Sequence, residues 1–146
     1  MNIKKATLSD LESVAHLFNE YRIFYRQLSN PEGAKTFIQE RLTTGDSVIF
    51  LAGDDRGMIG FTQLYPTFTS VGMKKAWILN DLYVSEEARG AGVGEALLHK
   101  ARAFAGETGA ASICLSTAPD NETARRLYEK NGYRQDQTFL HYELEL

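Results

Sequence analysis

Between residues 84 and 95 the sequence passes from an apolar, aromatic run into a helical repeat, and it does so through Arg89-Gly90-Ala91-Gly92-Val93-Gly94. Glycines in such a turn let the backbone come close to a ligand, and the free amides at the start of the following helix attract anions. A pyrophosphate is the obvious guest. Two familiar nucleotide patterns do not fit. A G-x-G-x-x-G fingerprint needs a different spacing from glycines at 90, 92 and 94, and it follows the first strand of a βαβ unit. A Walker loop needs Gly-Lys-Ser/Thr, and that tripeptide is absent. Spacing alone leaves open that the turn is only a connection between a strand and a helix.

The periodicities around the turn set the rest of the order. Residues 2–6 suit a short strand. Ser9 with Glu12 matches a capping box, and Leu11, Val14, Ala15, Phe18, Tyr21, Tyr25 and Leu28 follow at helical spacing. Asn30-Pro31 starts a second helix, carrying Phe37, Ile38 and Leu42 to Gly45. Residues 47–52 and 58–65 read as a hairpin around Asp54-Asp55-Arg56-Gly57. Residues 66–75 show no periodicity, and residues 76–84 form the strand before the turn. The helix after it places Val93, Ala96, Leu97, Ala101 and Phe104 on one face. A strand over 111–117 follows, then a short helix capped by Asp120 or Asn121, bearing Ala124, Leu127 and Tyr128 and stopped at Asn131-Gly132. The final residues alternate, with Leu140, Tyr142, Leu144 and Leu146 against Gln137, His141, Glu143 and Glu145, which predicts a half-buried strand. The expectation is an α/β (α+β) chain: a mixed, mostly antiparallel central sheet of six to seven strands flanked by four helices, in a single domain over 1–146.

Composition narrows the function classes. The 146 residues are 43% hydrophobic, enough for one core. With 16 basic against 19 acidic side chains, the net charge is −3, and sequence-independent nucleic-acid binding, which needs a cationic surface, is not expected. The single Cys114 lies in an apolar run; it excludes a disulfide framework and predicts a buried core thiol. No stretch approaches the ~18–20 apolar residues that span a bilayer, and no apolar segment follows Lys4-Lys5 as a secretory signal would. No membrane association is expected, and a cytoplasmic location is the default. His16, His99 and His141 have no metal-ligand spacing, so no metal is expected.

Two blocks resemble a known family. Arg89-x-x-Gly92-x-Gly94, after Leu82-Tyr83-Val84-Ser85-Glu86-Glu87-Ala88, is similar to the acetyl-coenzyme A loop of the GNAT N-acetyltransferase superfamily. Asn121-x-x-Ala124-x-x-Leu127-Tyr128-x-x-x-Gly132-Tyr133 is similar to its second signature. Within the superfamily, Trp77-Ile78-Leu79-Asn80-Asp81-Leu82-Tyr83-Val84 looks most like the branch of histone/polyamine and diamine acetyltransferases.

The resemblance implies the GNAT fold and acetyl-CoA as co-substrate. The amides of Arg89, Gly90, Ala91, Gly92, Val93, Gly94 and Glu95 would hold the pyrophosphate. The strand edge at Leu82, Tyr83 and Val84 would pair with the pantetheine arm, and the Leu82 amide would polarise the thioester carbonyl. Asn121 and Ala124 would contribute to cofactor binding, although Asn121 is equally a helix cap. Tyr128 stands where the family places its general acid; on spacing alone, a phenol there is as readily core. The strand position of the family's usual base holds Ile78 and Asn80, so Asp81 is the nearest carboxylate, either holding a cationic acceptor, relaying its proton through water, or serving only as a strand-end carboxylate. Amines have pKa values near 10, so a neutral nucleophile needs such a relay. Glu20, Tyr21, Phe24, Tyr25, Glu32, Tyr65, Phe68 and Trp77 are candidate acceptor-pocket walls, an aromatic and acidic mixture suited to an ammonium.

The expected activity is acetyl transfer to a primary amine, whether a polyamine, another small amine or a lysine side chain. The alternative is a catalytically idle acetyl-CoA-binding regulatory module. Sheet edges invite pairing, and relatives of the polyamine-type branch dimerise through C-terminal strands. A homodimer with residues 137–146 at the interface is therefore expected.

Overall fold

A computed structural model describes residues 1–146 in two compact units, Met1–Ser116 and Thr117–Leu146. The first unit contains β1 (Asn2–Lys5), α1 (Leu11–Phe24), α2 (Pro31–Thr44), β2 (Val48–Asp54), β3 (Gly57–Thr69), β4 (Lys74–Val84), α3 (Val93–Glu107) and β5 (Ile113–Cys114). The second contains α4 (Glu122–Lys130). The strands lie side by side in chain order. The first four pair antiparallel, and β5 alone runs parallel to β4, because α3 supplies the crossover that a parallel connection requires.

Alternation along the strands buries both faces of this sheet. In β2, Ile49 and Leu51 join Val14, Leu17, Ile38, Phe61 and Tyr83 in a core under α1 and α2, while Phe50 meets Phe104 of α3 at 5.4 Å between ring centroids. Leu97, Leu98 and Ala101 of α3 are fully buried; truncating Leu97 to Ala would cost about 2–5 kcal/mol. A Cβ at Gly60 of β3 would sit 2.9 Å from the Tyr83 carbonyl oxygen and 3.3 Å from Val93, so this glycine lets the start of α3 lie close on the sheet.

The local signals around the helices hold, with shifts. Asn30 accepts from the Gly33 N–H at 3.0 Å, and Pro31 opens α2, as its sequence requires. At α1 the box moves: Asp10 Oδ2 accepts from the Thr7 N–H at 2.9 Å, two residues before the expected Ser9–Glu12 pair, because a 3-10 turn (Leu8–Asp10) precedes the helix. Lys4 Nζ lies 2.7 Å from the other Asp10 oxygen.

Three expectations fail in the first unit. The aperiodic stretch from Pro66 is largely strand: β3 runs to Thr69 and pairs with β4 throughout. Pro66 is tolerated because Leu64 is the last β3 residue opposite β2, and beyond it β3 is an edge. The strand expected over 111–117 shrinks to the two residues of β5. Cys114 is exposed rather than a core thiol, since this short edge strand has only Ile113 turned partly inward.

The second unit corrects the strand count. Five strands form the sheet, not six to seven. Residues 134–146 carry no regular structure, and Phe139, Leu140, Tyr142, Leu144 and Leu146 are exposed. Alternation makes a strand only where a neighbouring strand completes the ladder, and the sheet's ladders involve β1 to β5 alone. Asp136 instead organises its start, accepting from the Thr138 and Phe139 amides at 2.8 and 3.2 Å. Asn121 caps α4 through its Oδ1, accepting from the Ala124 N–H at 3.3 Å.

Candidate active site

The glycine turn is shaped by backbone alone. Gly90 and Gly92 both have φ of +82°, and a Cβ built on either meets nothing within 4 Å. They are glycine for conformation, not for lack of room, and the space above them is open. Gly92 is the N-cap of α3 and brings no side chain to its amides. The first intrahelical bond runs from the Ala96 N–H to the Gly92 carbonyl, so the Val93 and Gly94 amides precede the helical ladder. The buried Ala88, bonded through its N–H to the Ser85 carbonyl at 2.9 Å, anchors the turn's entry.

Arg89 faces away from an anion's side of this turn. Its Nε donates to the Val84 carbonyl at 2.9 Å. Its guanidinium carbon lies 5.3 Å from the Phe24 ring and 5.5 Å from the Tyr83 ring. The side chain ties the turn to α1 and β4.

Next to the turn, β4 has an unpaired edge. β5 pairs only with Trp77 and Ile78, so beyond Ile78 that side of β4, including Leu82, Tyr83 and Val84, lacks a strand partner. A bulge stands at the same place: Gln63 of β3 faces Asp81 while Leu64 faces Leu79, leaving Asn80 as the extra β4 residue. An open strand edge leading to a glycine turn and an uncapped helix fits an extended arm with a pyrophosphate at its end.

On the α1 face of the sheet, the bulge presents Asp81. This carboxylate is 3% exposed. Burial pushes its carboxyl above the usual range, opposed by hydrogen bonds from Gln63, Tyr21 and Asn80. Gln63 Nε2 donates to Oδ2 at 2.6 Å and Asn80 Nδ2 to Oδ1 at 3.1 Å. No lysine, arginine or histidine is among the groups acting on it. Burial and the Asp81 charge raise the Tyr25 phenol, and they push Tyr65 up to about 12. The single Tyr21 O–H is shared between Asp81 and the Asn80 carbonyl, which lies 3.3 Å away. The site is a buried carboxyl group with no cation among the groups acting on it, lined by phenols.

Of the expected pocket walls, Tyr21, Tyr25 and Tyr65 gather at Asp81. Phe24 packs edge-on against Tyr25 and Tyr83, at 5.3 and 6.3 Å between ring centroids. Trp77 is core, donating to Thr108 Oγ1 at 3.0 Å and packed on Phe104. Phe68 is exposed, far along β3 from the bulge. Sequence reasoning missed Ser47 and Gln63. The signal was present in Gln63, a fully buried amide inside an apolar strand, which must find partners.

Within the second unit, Tyr128 is half-buried on α4. Its ring packs edge-on against Tyr133 at 5.9 Å, and its carbonyl accepts from the Tyr133 N–H at 3.0 Å. Across the chain, no group of three His, Cys, Asp or Glu side chains is placed to hold a metal ion, and no helix is long and apolar enough to cross a membrane.

The sequence pattern of the acetyltransferase (GNAT) family matches residues 12–133. The chain is 51% identical over 142 residues to the Uncharacterized N-acetyltransferase YhfO of Bacillus subtilis (strain 168), covering 97% of this chain and 95% of that protein. It is 31% identical over 140 residues to the D-amino-acid N-acetyltransferase HPA3 of Saccharomyces cerevisiae, covering 92% and 85%. A crystal structure of a probable acetyltransferase superposes with a TM-score of 0.95 at 47% identity, covering 100% of this chain and 98% of that one. A predicted acetyltransferase of Clostridium acetobutylicum, solved with acetyl-CoA, shares the fold at a TM-score of 0.78 and 18% identity, over 97% and 95% of the two chains.

Proposed function

This chain belongs to the acetyltransferase (GNAT) family and is an N-acetyltransferase, and we propose that it acetylates a primary amine whose ammonium form is received at Asp81. The observation that carries the reading is the buried, cation-free Asp81 carboxylate among Tyr21, Tyr25 and Tyr65. A buried charge without its counter-charge is costly, so an incoming ammonium gains what no side chain of the protein supplies. Phenol faces add cation-π attraction. A polyamine, other small amine or lysine side chain offers this group, as does an amino acid, the class named for the yeast relative. The run from Trp77 to Val84 supports placement in the histone/polyamine branch.

Acetyl-CoA, when bound, supplies an activated acetyl carbonyl that a neutral amine attacks directly in a ternary complex. The residues fit it: the turn from Arg89 to Glu95 offers amides at an uncapped helix start, and Leu82, Tyr83 and Val84 offer a strand edge. Asn121 and Ala124 of α4 are the further candidate contacts. The Leu82 amide is the proposed donor to the developing oxyanion. Asp81 holds the ammonium and draws its proton away, directly or through water, in keeping with a carboxyl whose pKa burial has raised toward that task. Tyr128 Oη is the proposed proton donor to the leaving group.

We place residues 1–146 in one functional acetyltransferase that acts as a homodimer. The five apolar side chains exposed between Phe139 and Leu146 support a second copy of this chain as their cover, with residues 137–146 at the interface. The direct test of the activity is an acceptor screen that follows thiol release from acetyl-CoA; amine-independent release alone would contradict the reading.

A further inference from the structure

Asp81 is not held by its own strand alone. Ser47, at the entry to β2, donates from Oγ to Gln63 Oε1 at 2.9 Å. That bond spends the amide's acceptor oxygen and turns its N–H toward Asp81, where Nε2 donates to Oδ2 at 2.6 Å. Asn80 donates to Oδ1, so each carboxylate oxygen has a fixed donor and the plane of the group is set. Gln63 has no exposed surface, and Thr62 beside it anchors the β4 backbone by donating to the Asp81 carbonyl at 2.8 Å. A buried glutamine amide has two orientations; the carboxylate of Asp81 accepts and takes the N–H side, and the Ser47 hydroxyl satisfies the oxygen that this leaves on the far side.

We propose that Ser47 and Gln63 form a positioning pair for Asp81, with the Ser47 hydroxyl holding the oxygen side of the Gln63 amide so that its N–H stays on the carboxylate that receives a cationic acceptor. This inference rests on the reading of Asp81 as the acceptor-amine site. Charged and titratable groups facing Asp81 are few: Tyr21 and Tyr25 from α1 and Tyr65 from β3. Arg41 of α2 and Asp46 act on Tyr65, not on Asp81. With no cation among the groups acting on Asp81, hydrogen bonds are what favour the anion against burial, and the one from Gln63, at 2.6 Å, is shorter than the one from Asn80, at 3.1 Å. Both members lie on strands β2 and β3 or at their start, distant in sequence from the glycine turn and from Tyr128.

The test follows the Asp81 carboxyl carbon by NMR through a pH titration of the free full-length protein, with Asp81→Asn identifying the signal. Wild type titrates above the ordinary carboxylate range. Gln63→Met moves the midpoint up by about one unit, the scale of one hydrogen bond to a charged group, and Ser47→Ala moves it up by less. The acidic limb of kcat/KM, measured with a diamine, follows the same order. An unchanged midpoint in both variants overturns the positioning pair. If Gln63→Met does not fold, the half-exposed Ser47→Ala decides alone, since its midpoint either rises or does not. Failure of the underlying reading looks different: a fully active Asp81→Asn removes Asp81 from the reaction while leaving the titration shifts as they are.

Discussion

The two halves of the proposed site are built in opposite ways. The turn from Arg89 to Gly94 is a backbone site, in which positive φ at Gly90 and Gly92 and an uncapped helix start do the work, and even the Arg89 side chain is turned to Phe24, Tyr83 and Val84. The Asp81 site is made of side chains from three elements, α1, β3 and β4, brought together at one bulge. A backbone site recognises what all donors of one class share. A side-chain site is where the acceptor is chosen. Changes at the first should therefore abolish binding of the donor outright, and changes at the second should grade the reaction and its pH dependence.

The largest effect is expected at the turn. Gly92→Val puts a β-branched residue at φ +82°, where such residues rarely sit, and places a side chain in the open space above the α3 amides. Acetyl-CoA binding in calorimetry should be abolished. The variant should still fold, because no atom lies within 4 Å of the new Cβ, with Tm lowered by several degrees for the strain of a side chain at positive φ. Retained affinity would show that this turn is a connection only.

Tyr128→Phe comes next. Losing a general acid removes about 10²- to 10⁴-fold from kcat, with acetyl-CoA affinity nearly unchanged. Full activity would assign Tyr128 to packing with Tyr133 alone. Deleting residues 137–146 should then halve the particle mass in light scattering at micromolar concentration, and a monomeric mass for the intact chain would contradict the dimer.

The smallest effect sharpens the contrast between the two halves. Burial raises the Asp81 carboxyl in the folded state, so folding binds a proton between the ordinary carboxylate value of about 3.9 and the raised one. Stability therefore falls as pH rises through that window. Asp81→Asn should remove this dependence and raise Tm near pH 7 by roughly 2–4 °C, the shift that about 1 kcal/mol gives in a chain of this size. A lower Tm for that variant would mean the carboxylate is stabilising, with a counter-charge the protein already holds.

The same division explains what could be read in advance. Helices α1 to α4, the hairpin of β2 and β3, and the glycine turn were legible because each is signalled locally: caps at Asn30 and Asn121, apolar spacing, and glycines at 90, 92 and 94. The Asp81 cluster was only partly so. Asp81 stood out as the carboxylate near the turn, and Tyr21, Tyr25 and Tyr65 as aromatic candidates. Ser47 and Gln63 did not, since their meeting depends on the β2–β3–β4 register and on a bulge at Asn80, neither of which has a local signal. The tail failed for a related reason. The alternation of Leu140, Tyr142, Leu144 and Leu146 is a pattern for pairing, and pairing needs a partner that the sequence of one chain does not specify.

The central claim is that Asp81 receives the amine that this enzyme acetylates. It is tested by thiol release from acetyl-CoA, with wild type and Asp81→Asn compared across a polyamine, a lysine peptide and a D-amino acid, alongside acetyl-CoA affinity by calorimetry. The account predicts amine-dependent release by wild type, a fall of about 10²-fold in kcat/KM for Asp81→Asn, and equal acetyl-CoA affinity in both. Equal kcat/KM for the two proteins with every active acceptor would contradict it.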